Sequence, residues 1–121
     1  MEYVSTRNNS LTHSFEDVFI RGLAEDGGLY VPKNLFKFEN QELKKLENLD
    51  YQNLATEIIQ KFIGDFMSKE DLSKIVNKSY KTFRSDQIIE FKKIDKYTFL
   101  ELFHGPTLAF KDIALQLIGN F

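Results

Sequence analysis

The hydrophobic pattern of this chain changes period once, close to residues 84–87. Before that point apolar residues recur every three or four positions. Leu54, Ile58, Ile59, Phe62 and Ile63 form one amphipathic stripe, and Leu72, Ile75, Val76 and Tyr80 form another. After it, "QIIEFKKI" and "YTFLELF" read as two strands joined by a tight turn at "DK". A helix-period pattern does not serve as a strand, nor the reverse. The chain is therefore expected to be α/β: a mostly helical N-terminal lobe over 1–84, then a strand-rich piece over 85–121 in which a hairpin leads into a strand–turn–helix.

Local signals refine the first lobe. "EYVSTR" leans towards a short extended segment. Ser14 stands as an N-cap before acids in the first turn, and Phe15, Val18, Phe19 and Leu23 share a helical face. Asp26-Gly27-Gly28 predicts a turn, Leu29–Val31 an extended piece limited by Pro32. Leu43, Leu46 and Leu49 place a helix between residues 40 and 49. Asp50 caps the next helix, which ends near Gly64, and Ser68 with Asp71 opens another.

Composition sets limits. At 121 residues the chain suffices for one domain or two small lobes, and 42% hydrophobic residues argue against disorder. A net charge of −2 with no basic stripe points away from nucleic acid. Without cysteine there are no disulfides or thiolate metal ligands, and no metal site is expected. No apolar run approaches membrane-spanning length, and "MEYVSTRNNS" lacks the charged-then-apolar order of a secretory signal, so a cytoplasmic protein is expected.

The last strand runs through "HGPT" into "LAFKDIALQLIG", a predicted helix with Thr107 as its N-cap. On a wheel of about 100° per residue, Ile118 and Leu115 fall roughly 20° and 40° either side of Lys111. Leu108 and Ala114 lie at roughly 60°. Lys111 thus occupies the apolar face. Burial and the positive end of a helix both disfavour an ammonium, and a desolvated amine is a nucleophile fit for Schiff-base chemistry. The other reading of the same spacing is a snorkelling lysine whose stem lies on Leu108 and Leu115. His104 reads equally well as a turn residue.

The string "LELFHGPTLAFKD" resembles the segment around the cofactor lysine of the threonine synthases, pyridoxal 5′-phosphate enzymes of fold type II, the fold of the tryptophan synthase β chain. "YVSTRNN" resembles that family's opening, "SFEDVFIRGLAEDGGLYVP" its next block and "FIGDF" the segment after it. The resemblance implies that Lys111 forms the Schiff base with the cofactor. It also implies conversion of O-phospho-L-homoserine and water to L-threonine and phosphate, by β,γ-elimination followed by addition of water at the β carbon. By the same resemblance His104, Thr107, Phe110 and Asp112 belong to the wall of the cofactor pocket. Arg7 either contacts the substrate or packs within the lobe.

A pyridoxal phosphate site also needs a phosphate cradle, usually a glycine-rich loop at a helix start. The glycines at 22, 27, 28, 64, 105 and 119 form no such loop. The resemblance therefore implies the N-terminal part of the enzyme, folded at least in its helical lobe, without activity by itself and inclined to self-associate through its uncovered final helix. The alternatives are a non-catalytic binding or scaffolding module, a truncated paralogue, and another eliminating enzyme of the same fold. D-G-G-L-Y-V-P argues against the last.

Overall fold

A computed structural model describes all 121 residues. Strand β1 (Tyr3–Ser5) pairs antiparallel with β2 (Tyr30–Pro32), and between them lies helix α1 (Phe15–Arg21). Ser14 caps α1 in a reciprocal capping box with Asp17. The helix ends earlier than its apolar spacing implies. Gly22 takes φ 71° and donates to the Val18 carbonyl, which leaves Leu23 outside the helix and 64% exposed.

Helix α2 (Asn40–Leu46) closes three residues short of the expected Leu49. Asp50 then caps α3 (Tyr51–Ile63) by accepting from the Asn53 N–H. A single 3₁₀ turn at Gly64–Phe66 leads to Ser68, which caps α4 (Lys69–Tyr80) by accepting from Asp71. The α3 and α4 stripes face each other. Ile63, Leu72, Val76 and Tyr80 form the core with Ile88, and Leu117 of the C-terminal helix and Phe121 beyond its end pack against it. Leu72 and Val76 are fully buried.

The first predicted strand begins later than its sequence implies. Residues 85–89 turn instead. Ile88 stands at φ 64° with its side chain 1% exposed, inserted in the core between α3 and α4. Strands β3 (Glu90–Ile94) and β4 (Tyr97–Glu101) follow as an antiparallel hairpin, with Asp95 at φ 52° in the two-residue turn. Its register sets Glu90 opposite Glu101.

The final helix, α5, spans Asp112–Ile118. Thr107 is therefore not its N-cap; Lys111 is, in αR geometry and without a side-chain capping bond. The reason is local. The Thr107 hydroxyl and N–H both bond to the Asp112 carboxylate, so residues 105–111 close as a loop. Tyr80 ties α5 to the core by donating its hydroxyl to the Ile113 carbonyl at 2.9 Å. No helix is long and apolar enough to cross a membrane.

Candidate functional site

Strand β4 delivers the chain to the segment that carries most of the predicted site residues. The Arg84 N–H donates to the His104 carbonyl at 2.8 Å and fixes the strand's exit. A turn follows, in which the Leu108 N–H donates to the Gly105 carbonyl at 3.2 Å, with Leu108 at φ 62°. Asp112 N–H then bonds the Ala109 carbonyl, and Leu115 N–H bonds the Lys111 carbonyl at 2.8 Å as α5 begins.

Lys111 is exposed, and its ammonium enters none of the chain's ion pairs. It lines an open hollow with Leu102, Phe110, Ile113, Ala114 and Leu115. The expected apolar surround is present, but it is uncovered: Leu108 is 53%, Phe110 65% and Leu115 57% exposed. The amine is therefore not desolvated by these residues, because nothing packs over the face on which it stands.

The other predicted residues divide into separate groups. Phe110 shares the hollow with Lys111. Thr107 and Asp112 bind each other. Burial alone would raise the Asp112 carboxyl, but the Thr107 N–H and hydroxyl, helped by Gln116, hold it below the usual aspartate range. His104 Nε2 lies 3.1 Å from a Glu101 carboxylate oxygen. Glu90, Glu101 and His104 are half-buried and have ligand atoms within 4.8 Å of one another, so these are the side chains that could hold a metal ion. Nothing in the spacing of residues 90, 101 and 104 singles out the two glutamates. Only the hairpin register, which sets them side by side, brings them to His104.

Arg7 belongs to a different place. Its guanidinium donates to the Asp26 carbonyl at 3.0 Å. The Asp26 carboxylate accepts from the Ser5 hydroxyl and the Gly28 N–H, both at 2.8 Å, which hold it below its ordinary range, the Ser5 bond foremost. The Leu29 N–H bonds the Thr6 hydroxyl at 3.0 Å. The Ser5-Thr6-Arg7 and Asp26-Gly27-Gly28 motifs are thus one structural unit. Spacing alone could not show this, since the two lie some twenty residues apart and meet only where β1 ends beside the turn that precedes β2.

The fold so defined is a mixed α/β lobe that presents one unpaired lysine on an apolar wall. Residues 2–80 match the family described as threonine synthase N terminus. Threonine synthase of Pseudomonas aeruginosa is 43% identical over 121 residues, covering 99% of this chain and 26% of that protein. The Saccharomyces cerevisiae threonine synthase is 42% identical over 126 residues, covering 98% and 24%. Among solved structures, the pyridoxal-phosphate-bound threonine synthase of Brucella melitensis superposes with a TM-score of 0.94 at 38% identity, over 99% of this chain and 26% of that one. The chain belongs to the threonine synthase family, and it spans about a quarter of the length of these relatives.

Proposed function

We propose that this chain is the N-terminal part of an enzyme that converts O-phospho-L-homoserine and water to L-threonine and phosphate, with Lys111 as the lysine that holds pyridoxal 5′-phosphate. The observation that carries the reading is the Lys111 amine, free of any carboxylate partner and set among Leu102, Phe110, Ile113, Ala114 and Leu115. A primary amine beside an apolar wall fits the aldehyde end of the cofactor and one face of its ring. The phosphate cradle and the partner of the pyridine nitrogen would come from the remaining length that the relatives have and these residues do not cover.

When bound, the cofactor supplies an electron sink. The protein's own contribution here is to bind, to shield and to move protons. Lys111 Nζ would hold the cofactor, and as a free amine it would move protons at the substrate carbons. Phe110 and Leu115 would back one side of the bound group with apolar surface. A second layer of protein over this face would lower the lysine's proton affinity by desolvation. Residues 1–84 would be the N-terminal domain and 85–121 the start of the catalytic domain of a cytoplasmic enzyme. Arg7, engaged with the Asp26 carbonyl, serves the lobe rather than the substrate in this reading.

The test is covalent. The full-length protein carrying this segment is loaded with pyridoxal phosphate, reduced with borohydride and mapped by mass spectrometry. A pyridoxyl mass on the peptide containing residue 111, absent in Lys111→Ala, is expected, together with loss of threonine formation in that variant. A pyridoxyl mass on another lysine would sink the assignment. Residues 1–121 by themselves are expected to form no threonine from phosphohomoserine, and to self-associate through the uncovered α5 face. The competing reading, a non-catalytic module, would hold if the full-length protein bound no cofactor.

A further inference from the structure

Asp112 is a residue only 2% exposed, and the loop before it supplies a donor to each of its carboxylate oxygens. One oxygen accepts from the Thr107 N–H at 2.8 Å, the other from the Thr107 hydroxyl at 2.9 Å, with Gln116 at 3.4 Å. A charged group withdrawn from water is tolerated only when its bonds are satisfied, so these contacts hold residues 107 and 112 together. Gly105 lies flat against the same side chain. A Cβ there would overlap the Asp112 Cβ and carboxyl group, so the close approach requires glycine at 105. Inside the closed loop Leu108 sits at φ 62°, a conformation that costs a leucine energy and persists only where its surroundings over-determine it. Lys111 is the residue between that loop and the helix that Asp112 begins.

We infer that Asp112 is a positioning residue for Lys111: its buried carboxylate, bonded to Thr107 and seated on Gly105, locks the 105–112 loop and so fixes the point from which the lysine side chain reaches along the apolar wall. This rests on reading Lys111 as the cofactor lysine. It gives Asp112 a role through the loop rather than through contact with the cofactor.

The full-length protein carrying this segment allows three readouts. They are the rate of borohydride-trapped pyridoxyl addition at residue 111, hydrogen exchange at the Thr107 amide, and kcat and KM for phosphohomoserine. In Asp112→Ala the Thr107 amide is expected to exchange faster. Trapping at residue 111 should slow by about tenfold or more, and kcat should fall comparably with little change in KM, as a misplaced reacting group does. Asp112→Asn is expected to recover most of each, because its amide oxygen can accept from the Thr107 N–H while its NH₂ donates to the hydroxyl. Parental trapping and kcat in Asp112→Ala, or an Asp112→Asn as impaired as the alanine variant, overturns the inference. Should Asp112→Ala fail to fold, Thr107→Val, which keeps the N–H bond and loses the hydroxyl, is expected to fall between parent and alanine; parental behaviour there overturns it as well. If the parent itself shows no adduct at residue 111, the functional reading fails. The loop lock is then judged separately, by acetic anhydride labelling of Lys111 and by Thr107 exchange. Asp112→Ala should alter both, and parental values in both overturn the lock.

Discussion

Ile88 illustrates how a single residue can serve the core from an unfavourable backbone. It is β-branched and left-handed at φ 64°, a conformation that is an outlier for such a side chain. It remains there because its side chain, 1% exposed, completes the cluster of Ile63, Leu72, Val76 and Tyr80. Alanine shares the left-handed penalty, so in Ile88→Ala the backbone term largely cancels and the loss reports the vacated volume. We expect a destabilisation of about 2–4 kcal/mol by urea unfolding. A loss below ~1 kcal/mol would mean that the core collapses into the vacated space. The reading frame of the hairpin depends on the same residue. With 85–89 held as turns, β3 starts at Glu90, and Glu101 falls opposite it.

Among the elements, α4 and α5 are joined by few polar links, and Tyr80 makes the most central. Its hydroxyl donates to the Ile113 carbonyl at 2.9 Å, and burial, with the Tyr51 phenol nearby, pushes its ionisation far above the usual tyrosine range. Tyr80→Phe keeps the ring and leaves that carbonyl without its donor, at a cost of about 1 kcal/mol. Hydrogen exchange should rise in α5 more than in α3; uniform change across the chain would show that the bond is not what seats α5. The α3 and α4 stripes were legible in the sequence because their 3.6-residue period and their Asp50 and Ser68 caps agree with the packing. The hairpin was legible from its alternation and turn. The start of α5 was not. Thr107 looks like a cap, yet its hydroxyl is claimed by a carboxylate five residues ahead, a side-chain contact within the loop that outweighs the capping preference. Lys111 could be assigned to an apolar face but not to a buried one, since periodicity shows which residues share a face and says nothing of what covers it. The pairing of Ser5 and Thr6 with the Asp26–Leu29 turn lay beyond spacing for a similar reason: it needs β1 and β2 to be side by side.

At the scale of the whole molecule, the acid sensitivity of the fold is set by hydrogen-bonded aspartates more than by the exposed ion pairs, although Lys74 also helps to hold Asp71 low. The lysine and arginine ion pairs, such as Arg21–Glu25 and Lys74–Glu70, are largely exposed, so solvent screens them and they contribute little. High salt should therefore change the melting temperature little. Asp17, Asp26, Asp71 and Asp112 behave differently. Hydrogen bonds from Ser14, Ser5 and Gly28, Ser68, and Thr107 respectively hold all four below the ordinary aspartate value of 3.8, in Asp112 against the opposing effect of burial. A carboxyl whose folded value lies below its unfolded one contributes stability that is fully present above the unfolded value and is lost as pH falls through the folded one. The melting temperature should thus stay level from neutral pH to a little above 3.8 and drop below it. Asp112→Asn removes one of the four titrating groups while retaining the bond to the Thr107 N–H, so its curve should start near the parent's and fall less steeply in acid. Thermal melts followed by circular dichroism between pH ~6 and ~2 decide the matter. A parental acid slope in Asp112→Asn would show that this buried carboxylate is not among the groups whose protonation unfolds the chain.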